Sequence, residues 1–388
     1  MASIPSLANP KILKWARKTA HMQLSVAAKK VSVDEDRLKR WEDDSNDDRP
    51  TLAQLKTISK VYKRPLAVFF LSKKPEDFDV IRDFRTTANS GDKFSSKLIF
   101  EIRYAQQRQS WASEYRRELG EPILDFVGSV EIGDNVVKTG ARIRKLLGVS
   151  ISEQNAWYEK YTALRNWVSM CEDLGLMVFQ TGSVDVDEMR GFAITDDLAP
   201  AVMINAKDAP RARIFTLLHE LVHVFLGESG VSSIAVSLAK KTSDAKTEIF
   251  CNAVAGEILV PTKDFRRRMA SHEGYSVEEK LTIFSRFYTV SKEVIARRML
   301  TLGAISRREY NLLRASFNKD RRPIRQKGPI KIPRATMVVR NNGKSFSRMA
   351  ISAYRADRIA GNYMSSLLNM KMNHFGNVEA ALYPSRIM

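Results

Sequence analysis

The segment Phe215–Leu226 constrains this chain more than any other stretch of its sequence. Phe215, Leu217, Leu218, Leu221, Val222, Val224, Phe225 and Leu226 are apolar nearly all round a helix, yet His219, Glu220 and His223 sit among them. A helix apolar on every face is a buried helix. Buried polar groups must be satisfied, and a metal ion satisfies two imidazoles economically. The chain has five histidines, and two of them stand four apart with glutamate directly after the first. Residues i and i+4 share a helical face, so His219 and His223 can reach one ion. Glu220, one position on, can act beside that ion without ligating it. Zinc suits neutral imidazole and brings the pKa of a bound water toward about 7. Glu220 is then the candidate base that takes the water's proton and later delivers it to a leaving amine.

A catalytic zinc needs a third protein ligand and an open fourth position. The helix expected over Ser243–Leu259, halted by Pro261, offers Glu248 and Glu257. They are nine residues apart, about 180° around a helix, so one of them at most faces the metal. Asn252 shares the face of Glu248 and would support a ligand there, which makes Glu248 the better candidate. Glu257 reads more simply as a solvated or ion-paired carboxylate.

At 388 residues the chain exceeds one compact core. The pattern divides into residues 1–74, a set of short helices; 75–153, a helical connecting region; 154–320, a mixed region holding the metal motif; and 321–388, a basic linker with a small C-terminal unit. Within the mixed region, one helix is expected over Asn155–Leu174, ended by Gly175. Strands are expected at Leu176–Gln180 and Ala201–Asn205, and a helix over Pro210–Gly227. The fold class that follows is mainly α with a small α+β core behind an all-α N-terminal domain. Two cysteines in unrelated contexts make neither a disulfide framework nor a thiolate site, and read as buried, reduced thiols. Without a signal sequence or an apolar run long enough to span a bilayer, the expectation is a soluble, cytoplasmic protein with no membrane partner. Net charge is +19, and more than half of it lies in Arg314–Arg358, where thirteen Lys or Arg stand against two Asp. That stretch could supply nonspecific phosphate contacts or serve as a solvated linker.

The segment Arg213-Ile-Phe-Thr-Leu-Leu-His-Glu-Leu-Val-His223, with Glu248-Ile-Phe-Cys-Asn252 and Ala255-Gly-Glu-Ile-Leu-Val-Pro261, resembles the ImmA/IrrE metallopeptidase family. The resemblance implies zinc held by His219, His223 and Glu248, with Glu220 as general base, on a reduced zincin-type α+β core. It also implies a site-selective protease acting on a DNA-bound repressor. Val222 and Val254 depart from the family's usual residues without touching a ligand. Ala201–Asn205 would be the strand beside the cleft, where an extended peptide could add, and it reads equally as a plain core strand.

At the N-terminus, Ala27–Asp34 and Arg37-Leu38-Lys39-Arg40-Trp41-Glu42, continuing through Arg49-Pro-Thr-Leu-Ala-Gln-Leu to Arg64–Phe70, resemble the helix-turn-helix of Xre/Cro-type repressors. Such families lay the second helix of the motif in the major groove, which makes Arg37, Lys39 and Arg40 the candidate DNA contacts. Asp34, Glu35 and Asp36 open the same helix and repel phosphates, so docking to a protein competes with docking to DNA. Modules of this type often pair, which allows a homodimer. Two functions remain in view. One is a regulatory zinc endopeptidase that cleaves a repressor or antitoxin-like protein. The other is a DNA-binding regulator of a phage or toxin–antitoxin locus whose metallopeptidase domain senses or docks without cutting.

Overall fold

The computed structural model describes residues 6–75, 82–83, 95–232, 243–319 and 332–383. The chain forms two compact units. The first comprises residues 1–81 and 87–104, and the second residues 82–86 and 105–388. Most of the basic linker, residues 320–331, lies outside the described residues. Among the described residues, no helix is long and apolar enough to cross a membrane.

The first unit is helical: α1 (Pro10–Thr19), α2 (Leu24–Val31), α3 (Glu35–Trp41) and α4 (Leu52–Tyr62), then a 3-10 turn at Leu66–Phe70. Local chemistry sets these boundaries. Asn9 caps α1, and Asp34 accepts from Arg37 N at 2.6 Å to cap α3. Thr51 and Gln54 form a reciprocal capping box at the start of α4. Between α2 and α3 the chain turns at Ser32, whose φ of 62° lies in the left-handed region. Ile12, Leu13, Trp41, Leu55, Ile58 and Phe69 close the core of this unit. Arg17 and Glu42 are paired inside it at 2.7 Å.

The second unit is mainly α around a small α+β core. Its elements are β1 (Arg82–Asp83), most of α5 (Ser96–Glu118), α6 (Val136–Leu146), α7 (Ile151–Ala156), α8 (Lys160–Asp173), β2 (Met177–Thr181), β3 (Gly191–Ile194), β4 (Ala201–Asn205), α9 (Pro210–Phe225) and β5 (Gly230–Ser232). There follow α10 (Ser243–Leu259), α11 (Thr262–Ser271), α12 (Val277–Phe287), α13 (Lys292–Thr301), α14 (Arg307–Lys319), α15 (Arg334–Asn342), α16 (Lys344–Arg355), α17 (Gly361–Leu367) and α18 (Phe375–Leu382). The sheet runs in the order β1-β5-β3-β4-β2. β4 pairs parallel to β2 and antiparallel to β3, and β3 pairs antiparallel to β5. Of the two readings of Ala201–Asn205, an edge that a peptide could extend and a plain core strand, the structure gives the second, with both sides paired.

Helix α9 is apolar nearly all round because it is enclosed from Thr216 to Phe225. It packs against α8 and α10 and against β3 and β4. Leu217, Leu218, Leu221, Val222 and Phe225 belong to one core cluster with Phe250, Val254 and Ile258 of α10. The buried C-terminal carbonyls of α10 need partners, since a helix end leaves them unbonded. Long side chains supply them: Arg144 donates to Ile258 O at 2.7 Å, Gln154 to Leu259 O at 3.0 Å, and Arg298 to Val260 O at 3.1 Å. These contacts hold α10 in place along α9.

The C-terminal helices belong to the second unit. Helix α15 packs against β2, covering the last strand of the sheet, as exposed edges require. The fully buried Arg108 stacks on Phe179 of β2 at 3.8 Å and donates to Asn342 at 2.9 Å. Gly343 follows with φ 75°, and a Cβ there would lie 2.5 Å from Glu172 Oε1 and 2.7 Å from Val178 O. Only glycine fits so close a turn. The Glu172 carboxylate accepts from Ser345 N at 3.2 Å and so caps α16.

Burial pushes Glu172 up to about 7, against the pull of the Ser345 and Lys344 amides and the Lys344 charge; Asp173 adds to the rise. The unfolded chain releases this proton near the ordinary carboxylate value while the folded chain holds it, so stability falls as pH rises between the two. Glu172→Gln keeps the acceptor oxygen and removes the titration. Urea midpoints should coincide for wild type and variant near pH 4.5, with the variant more stable by about 1–2 kcal/mol at pH 8.

Candidate metal centre

Three buried side chains from two helices meet beneath the sheet, with a fourth beside them on the same helix. His219, Glu220 and His223 come from α9 and Glu248 from α10, and none is more than 5% exposed. Helical spacing brings the two imidazoles together, with Nε2 to Nε2 at 3.2 Å. Glu248 spans them, one oxygen 3.4 Å from His219 Nε2 and the other 3.4 Å from His223 Nε2. His219, His223 and Glu248 form a group whose ligand atoms could hold a metal ion. The spacing tests the fit. A tetrahedral ion bonded at about 2.0–2.1 Å holds its ligand atoms about 3.3–3.4 Å apart. The edge between the two imidazole nitrogens, and the approach of one Glu248 oxygen to each of them, are close to that spacing.

The electrostatics of the group are those of a ligand set. Burial works to raise Glu248, but the two imidazoles overcome it and hold the carboxyl well below its ordinary range. Burial keeps His223 below its usual value, and the charge of His219 adds to this. For His219 burial acts in the same direction, yet the Glu248 carboxylate outweighs it and the ring is lifted; Asn252 bonds to the same ring. Metal binding must displace any proton held between His219 and Glu248.

Glu220 points elsewhere than its neighbours. Arg213, Thr216 and Glu220 lie three and seven residues apart on one stripe, and that stripe faces the sheet. A Cβ at Gly191 of β3 would fall 2.6 Å from Thr216 Cγ2 and 2.9 Å from Glu220 Oε1. Strand β3 thus lies directly on Glu220, and β3 rather than β4 is the strand at the carboxylate. Nothing in the sequence marked Gly191, because its role depends on which strand the sheet lays over α9.

Glu257 is occupied differently. It pairs with buried Arg298 and accepts from Thr262 N at 2.7 Å and Thr262 Oγ1 at 2.6 Å. Arg213, His272 and Tyr275 are the residues that sequence alone offers for stabilising a reacting oxyanion, and they sit in other surroundings. Arg213 is buried and donates to Gln180. The Nδ1 of His272 lies 2.9 Å from Arg268 O and its ring 5.2 Å from that of Tyr275. Arg37, Lys39 and Arg40 are in the first unit. There Arg37 stacks over Trp41 at 5.3 Å, Arg40 pairs with Asp48 at 3.3 Å, and Lys39 is exposed.

A buried helix presenting two imidazoles, a carboxylate from a second helix and an adjoining glutamate defines a metallopeptidase-like centre. In keeping with that, residues 171–300 match the model of the peptidase M78 family, described as the IrrE N-terminal-like domain. The chain is also similar to a solved Mycobacterium tuberculosis transcriptional regulator, at 12% identity and a TM-score of 0.30. That likeness covers 51% of this chain and 52% of the other, so the chain spans about half the length of that structure. No curated protein matches the chain.

The two carboxylates of α10 can be told apart by substitution. Glu248→Gln should lose most of its bound metal while remaining folded. Glu257→Gln should keep its metal and lose about 3–5 kcal/mol of stability, because Arg298 is left buried without its counter-charge. Metal analysis and urea unfolding on both variants check this, and the reverse pattern would assign the ligand to Glu257.

Proposed function

We propose that this chain is a regulatory zinc endopeptidase that cleaves a transcriptional repressor or antitoxin-like protein. The observation that carries the reading is the convergence of His219 Nε2 and His223 Nε2, 3.2 Å apart, with one Glu248 oxygen 3.4 Å from each, and with Glu220 next to His219 in sequence on the same buried helix. Two imidazoles and one carboxylate leave a coordination position open, the arrangement of catalytic rather than structural zinc.

His219, His223 and Glu248 would hold the ion, and Asn252 would orient His219. Bound zinc supplies Lewis-acid polarisation and a water acidic enough to attack at neutral pH. Glu220 would be the group that accepts the proton of the attacking water on a carboxylate oxygen and returns it to the amide nitrogen as the peptide bond breaks. Strand β3, lying on Glu220, fixes the rotamer of the base, and the enclosed helix keeps bulk water from the carboxylate.

The first unit would act as a helix-turn-helix docking module, with α2 and α3 as its two helices. Its chemistry suits a protein partner at least as well as DNA. Glu35 and Asp36 are exposed at the start of α3, and Arg40 is already paired with Asp48. A helix-turn-helix repressor is the substrate class that this arrangement favours.

Glu220→Gln separates chemistry from binding. It should retain zinc at the wild-type level and lose at least about 10²-fold in cleavage rate. His223→Ala should lose the zinc as well. Comparing new protein N-termini in cells expressing wild type or Glu220→Gln would reveal the substrate as fragments present with the first and absent with the second. Identical N-termini in the two, with both proteins fully zinc-loaded, would contradict cleavage and favour a regulator that senses or docks.

A further inference from the structure

The strand that lies on Glu220 has both of its edges taken. A Cβ at Gly191 of β3 would fall 2.9 Å from Glu220 Oε1, so β3 is the strand at the base. Extended peptides bind a sheet by pairing along a strand edge. One edge of β3 carries β4, and β5 pairs antiparallel along the other. The register sets Gly191 opposite Ser232, Phe192 opposite Val231 and Ala193 opposite Gly230. Opposed residues of an antiparallel pair have their Cα atoms about 4.5–5.5 Å apart. The Ser232 backbone therefore stands where a peptide paired with β3 would pass Glu220.

The chain reaches that place directly from the helix that carries the imidazoles. Helix α9 ends at Phe225, and the backbone turns at Gly227 with φ 72°. Ser229 Oγ then accepts from Thr195 N at 2.8 Å, which pins the start of β5 to the end of β3. Beyond that pin β5 pairs through three residues, Gly230–Ser232, the first of them a glycine. Along its far side β1 adds two pairs, Arg82 with Gly230 and Asp83 with Val231. Strands β2 and β4, by contrast, pair over five residues. Glycine loses the most backbone freedom on ordering, and a short strand holds few hydrogen bonds, so β5 is the strand of this sheet that opens most readily.

We propose that β5 is an autoinhibitory strand that fills the substrate's place beside β3. A peptide gains the site by displacing Gly230–Ser232, while the Ser229–Thr195 bond stays as the hinge. The inference rests on the peptidase reading and adds to it that the resting protein is latent. The device acts on peptide binding and leaves the metal ligands His219, His223 and Glu248 in place.

The test uses the full-length, zinc-loaded protein and, as probe, a labelled apolar peptide ending in a hydroxamate, a group that ligates zinc. Proline cannot donate to a ladder and does not fit a strand paired on both sides. Val231→Pro combined with Ser232→Pro should keep its zinc and bind the probe roughly ten-fold tighter than wild type by fluorescence anisotropy, because no strand competes for the place. Amide exchange gives an independent readout on wild type. Saturating probe should open Gly230–Ser232 to exchange while Gly191–Ile194 stay protected, the peptide having replaced β5 as their partner. Equal, weaker or absent binding by the zinc-loaded variant, or continued protection of Gly230–Ser232 in the wild-type complex, would overturn the strand's role. If the variant loses its zinc, the exchange result alone decides. If both results hold and neither protein cuts any member of a mixed peptide pool, the autoinhibitory strand stands and the peptidase reading fails.

Discussion

Everything in the second unit depends on burying a helix that carries ionisable groups on two of its faces. Helix α9 is enclosed by α8, α10, β3 and β4, so His219, Glu220 and His223 have almost no access to bulk water. Unpaired, such groups would cost several kcal/mol each. The fold meets that cost for the imidazoles by bringing Glu248 against both of them. Position along α10 is therefore critical. The anchoring of its C-terminal carbonyls by Arg144, Gln154 and Arg298 serves the site as much as the core.

The same reasoning connects the distant C-terminal helices to the site. Strand β2 is one end of the sheet, and β4 and β3 follow it toward Glu220. Helix α15 covers β2, and Arg108, Asn342 and Gly343 fix that cover.

Much of the site was legible in the sequence because it is local. The four-residue spacing of His219 and His223 and the separation of Glu248 from Glu257 are properties of single helices, and periodicity reads them directly. The span Ser243–Leu259 of α10 and the strand Ala201–Asn205 fall where sequence places them. What escaped is what depends on long-range register. The four-residue strand Gly191–Ile194 is buried on both faces, so it shows no alternation, and Gly191 acquires its meaning only from the residue it overlies. Ala201–Asn205 is apolar whether it lies at an edge or inside a sheet, and sequence cannot distinguish the two. The helix expected over Asn155–Leu174 is two, α7 and α8. The Glu159 side chain accepts from Tyr161 N and Thr162 N and starts a new helix there, a local signal outweighed by the continuous helical propensity around it.

The central claim is that two imidazoles and one carboxylate of this chain hold a single zinc ion. X-ray absorption at the zinc edge on the purified full-length protein tests it most directly. The account predicts about one zinc per chain, with nitrogen and oxygen scatterers at about 2.0–2.1 Å, outer-shell features of two imidazoles and no sulfur. A sulfur shell at about 2.3 Å, a single-imidazole signature, or no zinc retained after reconstitution would contradict it.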